Sequence, residues 1–213
     1  GLGDVYKRQL WFYPEDRSTK ESHPGITVAK RLDGHVLSAL ENGGKVLWFP
    51  ERDCYASQTV GGLFQTDYWN YRMFETISRN NRKPVSPGTM GLLIDPSHPL
   101  FRSFPTDFHT NWQWFPIVKQ SYPLILDYFP KGYRPIVQVI DNIERNHKLG
   151  LIFELAVGKG KLLVCMSNLE AVDDKPEVRQ LYCSMLDYMA SGDFNPKTAV
   201  SSGELVRLLR IRP

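Results

Sequence analysis

The chain has 213 residues, 42% hydrophobic and 23% charged, which is ordinary for a globular protein and allows one domain with a tail. A (β/α)8 barrel is excluded, because that fold needs about 250 residues and eight repeats of its unit. The net charge is +3 and the sequence has no basic block, so it predicts no nucleic-acid partner. The apolar runs are far shorter than the roughly 20 residues of a membrane span, so it predicts no membrane partner either.

Residues 1–9 read Gly-Leu-Gly-Asp-Val-Tyr-Lys-Arg-Gln and look like a translated adaptor sequence of the kind found at the ends of gene fragments. We exclude them from fold reasoning, as one would an expression scar. On this interpretation the natural protein begins further upstream and the chain is its C-terminal piece. We then expect an α/β accessory domain over residues 10–192 and a tail with a short helix over residues 193–213.

The first half of the domain shows a strand, helix, strand pattern. Apolar runs at residues 10–13 and 45–49 each end at a proline, and apolar residues recur at helical spacing between positions 28 and 40. Asn42, Gly43 and Gly44 supply the stop signal of that helix. Continuous apolar strands around a helix predict a parallel sheet that is covered on both faces.

The pattern weakens over residues 51–130, where Pro, Gly, Asn and aromatic residues are mixed. We expect a strand at 91–94 and a short helix around 118–127. A long irregular insertion inside a compact domain usually belongs to a functional loop or an interface.

Regular structure resumes after residue 134. Apolar segments separated by Gly158, Lys159 and Gly160 predict a hairpin at the edge of the sheet. Pro176 opens an amphipathic helix that Gly192 closes, and a short helix is expected at 204–209. The predicted strands cover residues 135–141, 149–157 and 161–167.

These elements together predict an α/β fold with a mainly parallel sheet flanked by helices, an edge hairpin and the long irregular insertion. We expect the apolar strand residues to be buried together in one sheet. They are Val46, Leu47, Trp48, Val137, Val139, Leu163 and Val164.

Two common catalytic motifs fail on spacing. Gly158, Gly160 and Lys161 superficially resemble a phosphate loop, but they join two strands, and Leu162 stands where Ser or Thr is needed. A nucleophile elbow with Ser or Cys between glycines is absent from the sequence, and Cys54 has no glycine neighbours. We interpret the three cysteines as structural thiols and predict no catalytic residue and no cofactor.

Asp107 and His109 form the densest polar cluster, in the segment Thr-Asp-Phe-His-Thr-Asn-Trp. A D-x-H pair can supply two metal ligands, but a third would have to come from Asp95, His98 or Glu154, none of which has a diagnostic spacing. Structural hydrogen bonding therefore remains the preferred interpretation, with interface and metal roles as alternatives. We predict no metal site.

Aromatic and amide side chains share the irregular region, which suits either a sugar surface or a domain interface. The aromatic members are Trp69, Tyr71, Trp112, Trp114 and Phe115, beside Asn70, Asn111 and Gln113. We favour an interface and expect Trp112 and Trp114 to lie with their neighbours at one surface. The candidate contact residues for an interface or a sugar are Trp69, Asp107, His109, Asn111, Trp112 and Trp114.

Five segments resemble the C-terminal region of large Bacteroidetes glycoside hydrolases of family 2, the β-galactosidase-like group. They lie in the stretch Lys83–Ser191, which is about half the chain: Lys-Pro-Val-Ser-Pro-Gly-Thr-Met-Gly (83–91), Asp-Pro-Ser-His-Pro-Leu-Phe (95–101), Phe-Pro-Thr-Asp-Phe-His-Thr-Asn-Trp-Gln-Trp (104–114), Val-Gln-Val-Ile-Asp-Asn (137–142) and Gly-Lys-Gly-Lys-Leu-Leu-Val-Cys (158–165). In such proteins the catalytic glutamates belong to a barrel upstream.

The same region looks like a class I glutamine amidotransferase-like or ThuA-like domain with flavodoxin-like layering. An active amidotransferase needs an elbow cysteine, which this chain lacks. The resemblance therefore implies a noncatalytic accessory domain whose partners are the upstream domains of a parent glycosidase, in the periplasm or secreted. Two alternatives stay open: a carbohydrate-binding surface that uses Trp112 and Trp114 and contacts oligosaccharide, and a stand-alone ThuA-like enzyme that uses Asp107 and His109.

Overall fold

The computed structural model of the protein describes residues 9–64 and 71–210. The strands are β1 (Ile26–Ala29), β2 (Lys45–Trp48), β3 (Leu92–Ile94), β4 (Leu124–Ile125), β5 (Val137–Ile140), β6 (Lys148–Val157), β7 (Gly160–Cys165) and β8 (Ala199–Val200). The helices are α1 (Gly34–Glu41), α2 (Tyr71–Asn80), α3 (Phe115–Lys119), α4 (Pro176–Ala190) and α5 (Ser202–Arg210). Within the described ranges, no helix has the length and apolar character that spanning a membrane requires.

One open sheet organises the fold, with the strand order β1-β2-β7-β6-β5-β3. The pairs β1–β2 and β2–β7 are parallel, whereas β7–β6, β6–β5 and β5–β3 are antiparallel. Helix α1 contacts β2, β7 and helix α5. Helix α4 contacts β1. The predicted α/β class is confirmed, and the sheet is mixed because the hairpin β6–β7 reverses the chain direction at its centre.

The predicted strand at residues 10–13 does not form. The edge position beside β2 is occupied by β1 in parallel register, with Val28 opposite Leu47. Residues 10–13 instead cross the surface irregularly, with the Tyr13 hydroxyl donating to Gln113 Oε1 at 2.6 Å. A run of four apolar residues has no periodicity that distinguishes a strand from an irregular, partly exposed segment.

Helix α1 begins later than its apolar pattern indicates. The side chain of Asp33 caps it by accepting from the Val36 backbone N–H at 2.9 Å, and Val28 belongs to β1. Gly34 is therefore the first helical residue rather than an interior one, where glycine would cost about 1 kcal/mol. Gly43, with φ of +92°, supplies the predicted stop.

The hairpin β6–β7 is present, but it lies in the middle of the sheet rather than at the predicted edge. Gly158 turns the chain at φ of +57°, and Val157 pairs with Gly160 across the turn. β7 also pairs with β2, and β6 also pairs with β5. The nearly unbroken burial of both strands is typical of central strands, and the turn confirms a hairpin instead of a phosphate loop.

The predicted core is confirmed. Leu163, with none of its surface exposed, lies between Leu47 on β2 and Glu154 on β6. The other predicted strand residues, Val46, Leu47, Trp48, Val137, Val139 and Val164, are each at most 1% exposed.

Replacing Leu163 with alanine is expected to lower the free energy of unfolding by about 2–5 kcal/mol, because it leaves a cavity in a closely packed core. Urea denaturation of the chain measures the effect. Leu93 on β3 is the matched control because it is 50% exposed, and its alanine variant should change stability by only about 0.5 kcal/mol. Equal losses for the two variants would contradict this placement of the core.

The insertion over residues 51–130 contains more regular structure than its sequence indicates. Helix α2 was not predicted, and the expected helix at 118–127 is replaced by α3 and β4. Pro123 separates these elements, and Leu124 pairs with Gly150 on β6. The backbone of β4 therefore joins the sheet, a tertiary pairing that overrides local helix preference.

A buried ion pair ties the start of α2 to the loop after β5. Arg145 donates from Nη2 to Asp141 Oδ1 at 2.6 Å and to the Pro87 carbonyl at 2.5 Å. Its guanidinium also lies 5.3 Å from the centre of the Tyr71 ring. The carboxylate of Asp141 further accepts from the backbone N–H of Asn142 at 2.8 Å. One charged pair thus fixes three segments that are distant in the sequence.

Residues 193–210 do not form a separate tail. The predicted helix is present as α5, and β8 adds a parallel pair to β6. Phe194, Leu205 and Leu209 are buried in the same core as the central strands. The α/β domain therefore continues past the predicted boundary at residue 192. Of the adaptor segment predicted at residues 1–9, residues 1–8 lie outside the described residues.

Candidate functional site

A cleft with a volume of about 390 Å³ lies at the carboxyl ends of the parallel strands β1, β2 and β7. We call it the carboxyl-edge cleft. β2 pairs in parallel with both β1 and β7, and open α/β sheets bind ligands in crevices outside the carboxyl ends of such strands. Its lining comes from residues that follow the three strands, from 119–122 and from α4: Thr19, Val28, Lys30, Phe49, Pro50, Glu51, Arg52, Asp53, Lys119, Gln120, Ser121, Tyr122, Ser167, Asn168, Leu169, Glu170 and Tyr182.

Two ion pairs organise the mouth of the carboxyl-edge cleft. Lys30 Nζ lies 2.6 Å from Glu170 Oε2, which joins the residue after β1 to the segment after β7. Arg31 Nε lies 2.9 Å from Glu51 Oε2 and joins the segments after β1 and β2. Both pairs are exposed to solvent, so water and salt screen them and they contribute little to stability. Their main effect is to neutralise charge around the opening.

Two tyrosines in the cleft wall are structural donors. The Tyr122 hydroxyl donates to the Pro50 carbonyl at 2.8 Å, and burial raises the pKa of Tyr122 to about 12. The Tyr182 hydroxyl donates to the Glu21 carbonyl at 2.9 Å, and burial raises its pKa as well. The Tyr182 ring stacks on Phe49 with centroids 5.9 Å apart. These groups stay neutral near pH 7 and form an apolar wall.

Two residues with amide side chains, Gln120 and Asn168, line the cleft and are joined through their backbones. The Asn168 backbone N–H donates to the Gln120 carbonyl at 3.1 Å, which fixes the two residues side by side. The neighbouring hydroxyls are already used, since Ser121 donates to the Val118 carbonyl at 2.6 Å and Ser167 to the Ile117 carbonyl at 2.7 Å. Within residues 9–64 and 71–210, neither amide side chain has a hydrogen-bond partner.

The cysteines divide into two environments. Cys165 and Cys183 are buried as predicted, and burial raises their pKa values to about 12 and about 11, which keeps both thiols protonated. Cys54 is exposed, with Sγ 3.9 Å from Glu51 Oε2. It lies in a 3-10 segment, Arg52–Gln58, at the cleft margin, and lacks the strained turn of a nucleophile elbow.

The predicted polar cluster occupies the sheet edge beyond β3. His109 pairs with Leu93 in an antiparallel bridge, and its Nδ1 lies 3.0 Å from the Thr110 carbonyl. Asn111 donates from Nδ2 to Asp107 Oδ2 at 2.9 Å. These contacts are local hydrogen bonds, as preferred from the sequence. Across the described ranges, no group of three His, Cys, Asp or Glu side chains is arranged to hold a metal ion.

The two predicted surface tryptophans separate. Trp112 is 66% exposed, whereas Trp114 is fully buried, so the expectation that both face one surface is wrong. Trp114 donates from Nε1 to Thr106 Oγ1 at 2.8 Å and packs edge-on against Phe104. The physical reason is the 3-10 turn Trp112–Trp114. With three residues per turn, side chains two positions apart point about 120° away from each other. Trp69 lies outside the described residues.

Trp112 belongs to a cluster that sequence reasoning identified only in part. Its ring centroid lies 4.9 Å from that of Phe64 and 5.6 Å from that of Phe115. Phe64 and Phe115 are themselves 5.1 Å apart, and Lys119 Nζ lies 5.1 Å above the Phe115 ring. We call Phe64, Trp112 and Phe115 the aromatic cluster. Lys119 also lines the carboxyl-edge cleft, so the two features adjoin along α3.

Four acids that could be candidates for acid–base chemistry, Asp95, Asp107, Asp141 and Glu154, each have a structural hydrogen-bond partner. Asp141 lies in the ion pair described above, and Glu154 accepts from the Tyr188 hydroxyl at 2.7 Å. The other two acids use short local bonds from side chains: Asp95 from Ser97 at 2.6 Å and Asp107 from Asn111 at 2.9 Å. The four carboxyl groups thus stabilise four different segments of the chain.

Glu154 should make stability depend on pH. Burial raises its pKa above the ordinary value, against the opposing effects of the Tyr188 hydroxyl and of Lys161 and Lys197. The unfolded chain therefore ionises first, and folding loses stability as the pH rises from about 4 through the folded-state pKa. The variant Glu154→Gln, which has no charge to bury, should gain stability relative to the natural chain between about pH 4 and pH 7.

Urea denaturation at both pH values measures that difference, with Glu204→Gln as a fully exposed control whose carboxylate instead has a lowered pKa. Between the same two pH values, Glu204→Gln should lose stability relative to the natural chain. If the difference in free energy of unfolding between Glu154→Gln and the natural chain stayed constant with pH, it would contradict a raised pKa for Glu154.

Comparison with known protein families matches residues 27–210 to DUF8487, a domain of unknown function. No curated protein matches the chain at a significant level. The matched range begins in β1 and ends in α5, so it includes the sheet except Ile26, the cleft lining except Thr19, and the whole aromatic cluster. Because that range covers well over half of the sequence, the chain belongs to the DUF8487 family.

Proposed function

We propose that the chain is a noncatalytic C-terminal accessory domain of a family 2, β-galactosidase-like glycoside hydrolase, and that it packs on the upstream domains of that enzyme. The observation that carries the proposal is the aromatic cluster, which places Trp112 at the surface with 66% of its area exposed. The resemblance of residues 83–165 to the C-terminal regions of such hydrolases suggests the kind of parent.

The aromatic cluster has the composition of an interface anchor. Trp is enriched at the centres of protein interfaces, where truncation of such a residue commonly costs 2 kcal/mol or more, an approximate threshold. Phe64 and Phe115 both contact the Trp112 ring, which reduces the side-chain freedom that docking would remove. Lys119 adds one positive charge at the rim, which suits an acidic group on the partner.

The residues after β2 also support a noncatalytic role. In enzymes with this layering the nucleophile follows a central strand, whereas here Trp48 is followed by Phe49, Pro50 and Glu51. Pro50 has no N–H, so it contributes no donor toward an oxyanion. Glu51 is paired with Arg31. The carboxyl-edge cleft is therefore better suited to binding than to acyl transfer.

The first test is the reading frame upstream of Leu10 in the source DNA. An in-frame glycosidase barrel supports the proposal, and a start codon directly before Leu10 contradicts it. The isolated 213-residue chain should hydrolyse neither nitrophenyl galactosides nor nitrophenyl glucuronides. Turnover that stays with the chain through rigorous purification would overturn the noncatalytic assignment.

The second test uses the full-length protein. The double variant Trp112→Ala/Phe115→Ala should loosen docking, so that limited proteolysis releases the C-terminal domain faster than from the natural protein. Phe12→Ala is the matched control, because Phe12 is 90% exposed and lies outside the aromatic cluster. Equal release rates for the natural protein and both variants would contradict docking through this cluster.

A further inference from the structure

We propose that the carboxyl-edge cleft is a binding site for a neutral saccharide of one or two rings. The inference goes beyond the proposed function, since it assigns a ligand to the chain itself whether or not the chain docks on a hydrolase. The volume of about 390 Å³ lies at the lower end of ligand pockets, which commonly measure about 300–1,000 Å³.

The position of the cleft is the first argument. It opens between the segments that follow β2 and β7, at residues 49–53 and 167–170. β2 and β7 are neighbouring parallel strands, and open α/β sheets bind ligands outside the carboxyl ends of such strands. Residues 46–48 of β2 and 162–165 of β7 are buried, so the walls of the cleft follow two strands of the core.

The lining chemistry is the second argument. Gln120 and Asn168 present two adjacent amides, each able both to donate and to accept, as sugar hydroxyls require. The stacked rings of Phe49 and Tyr182 supply an apolar wall for the C–H face of a sugar ring. A polar edge next to an aromatic wall matches the two-faced character of a pyranose.

The charges favour a neutral ligand over a phosphate or a carboxylate. Lys30 and Glu170 neutralise each other at the cleft, and Glu51 is neutralised by Arg31. The lining as a whole carries three cations, Lys30, Arg52 and Lys119, and three acids, Glu51, Asp53 and Glu170, so its formal charges balance. Phosphate sites use backbone N–H groups of glycine-rich turns, whereas the segment after β2 contains Pro50, which has none.

Saccharide binding is tested on the isolated 213-residue chain by saturation-transfer NMR and calorimetry with galactose, lactose and maltose. At least one of these sugars should bind, and Gln120→Ala/Asn168→Ala should weaken its affinity about tenfold or more. Asn168→Asp should also weaken binding. Because Asn168 is exposed, this variant should fold even if the double variant does not. Circular dichroism confirms that each variant folds.

Trp112→Ala is the matched control and should bind the sugar as the natural chain does, because Trp112 lies outside the cleft lining. Loss of binding in Trp112→Ala with retention in the double variant would move the site to the aromatic cluster and overturn the proposal. Failure of all three sugars to bind at about 10 mM would also overturn it. Tighter binding of glucuronate or inorganic phosphate than of any neutral sugar would overturn the assignment of a neutral ligand.

Discussion

Replacing Trp114 with alanine is expected to lower the free energy of unfolding by about 3–5 kcal/mol. The side chain is fully buried, packs edge-on against Phe101 and Phe104, and donates its indole N–H to Thr106. The variant loses these contacts and leaves both a cavity and an unused acceptor in the core. Urea denaturation followed by far-UV circular dichroism measures the change.

Trp112→Ala is the matched control for that experiment. Its ring is 66% exposed, so the isolated chain should lose only about 0.5 kcal/mol. The two tryptophans are two residues apart in the sequence, so a difference in cost reports burial rather than local chain propensity. Similar costs for both variants would contradict the separation of a core tryptophan from a surface tryptophan.

Asp141→Ala is expected to cost about 3 kcal/mol, because it removes one partner of a buried ion pair. The Asp141 side chain is 1% exposed and also accepts from the backbone N–H of His147 at 3.1 Å. Without it, the guanidinium of Arg145 stays partly buried beside Pro87 and Tyr71 with no compensating charge. The loop after β5 and the start of α2 should loosen together.

Thermal unfolding and hydrogen exchange measure that loss. Asp174→Ala removes an exposed ion pair with Lys175 and should change the free energy of unfolding far less than Asp141→Ala does, because solvent screens that pair. Asp141→Asn keeps a hydrogen-bond acceptor but removes the charge, so its loss of stability should lie between those of Asp141→Ala and Asp174→Ala. An Asp141→Ala variant as stable as Asp174→Ala would show that the ion pair is not a structural anchor.

Several elements could be predicted because their local signals agree with their tertiary setting. Helix α4 has an opening proline, an apolar stripe and a closing glycine, and it forms over Pro176–Ala190. The turn at Gly158 is flanked by two long apolar runs, and it forms the expected hairpin. In both cases the signal lies within about 20 residues, so no distant contact is needed to interpret it.

Other elements depend on contacts that no local pattern contains. The edge position beside β2 could be taken by residues 10–13 or by β1, and only the pairing of Ile26–Ala29 with Lys45–Trp48 decides between them. The hairpin becomes central because β2 pairs with β7 across more than 100 residues of chain. Strand order of this kind is a property of the assembled sheet.

The candidate site was predicted least well for the same reason. The carboxyl-edge cleft brings together Lys30, Gln120, Asn168 and Tyr182, which have no common sequence motif. The aromatic cluster joins Phe64 to Trp112, although 48 positions separate their numbers in the sequence. The composition of the irregular region did indicate an aromatic surface, but only the fold determines which tryptophan contributes to it.

Hydrogen–deuterium exchange of the full-length protein, compared with the isolated 213-residue chain, tests accessory docking most directly. Amides of α3, which carries Phe115 and follows Trp112, should exchange more slowly in the full-length protein, while amides at the centre of α4 serve as an internal reference. Slower exchange confined to the segment around the aromatic cluster is the result that docking predicts. Identical exchange of residues 112–119 in the two proteins would contradict docking through this surface.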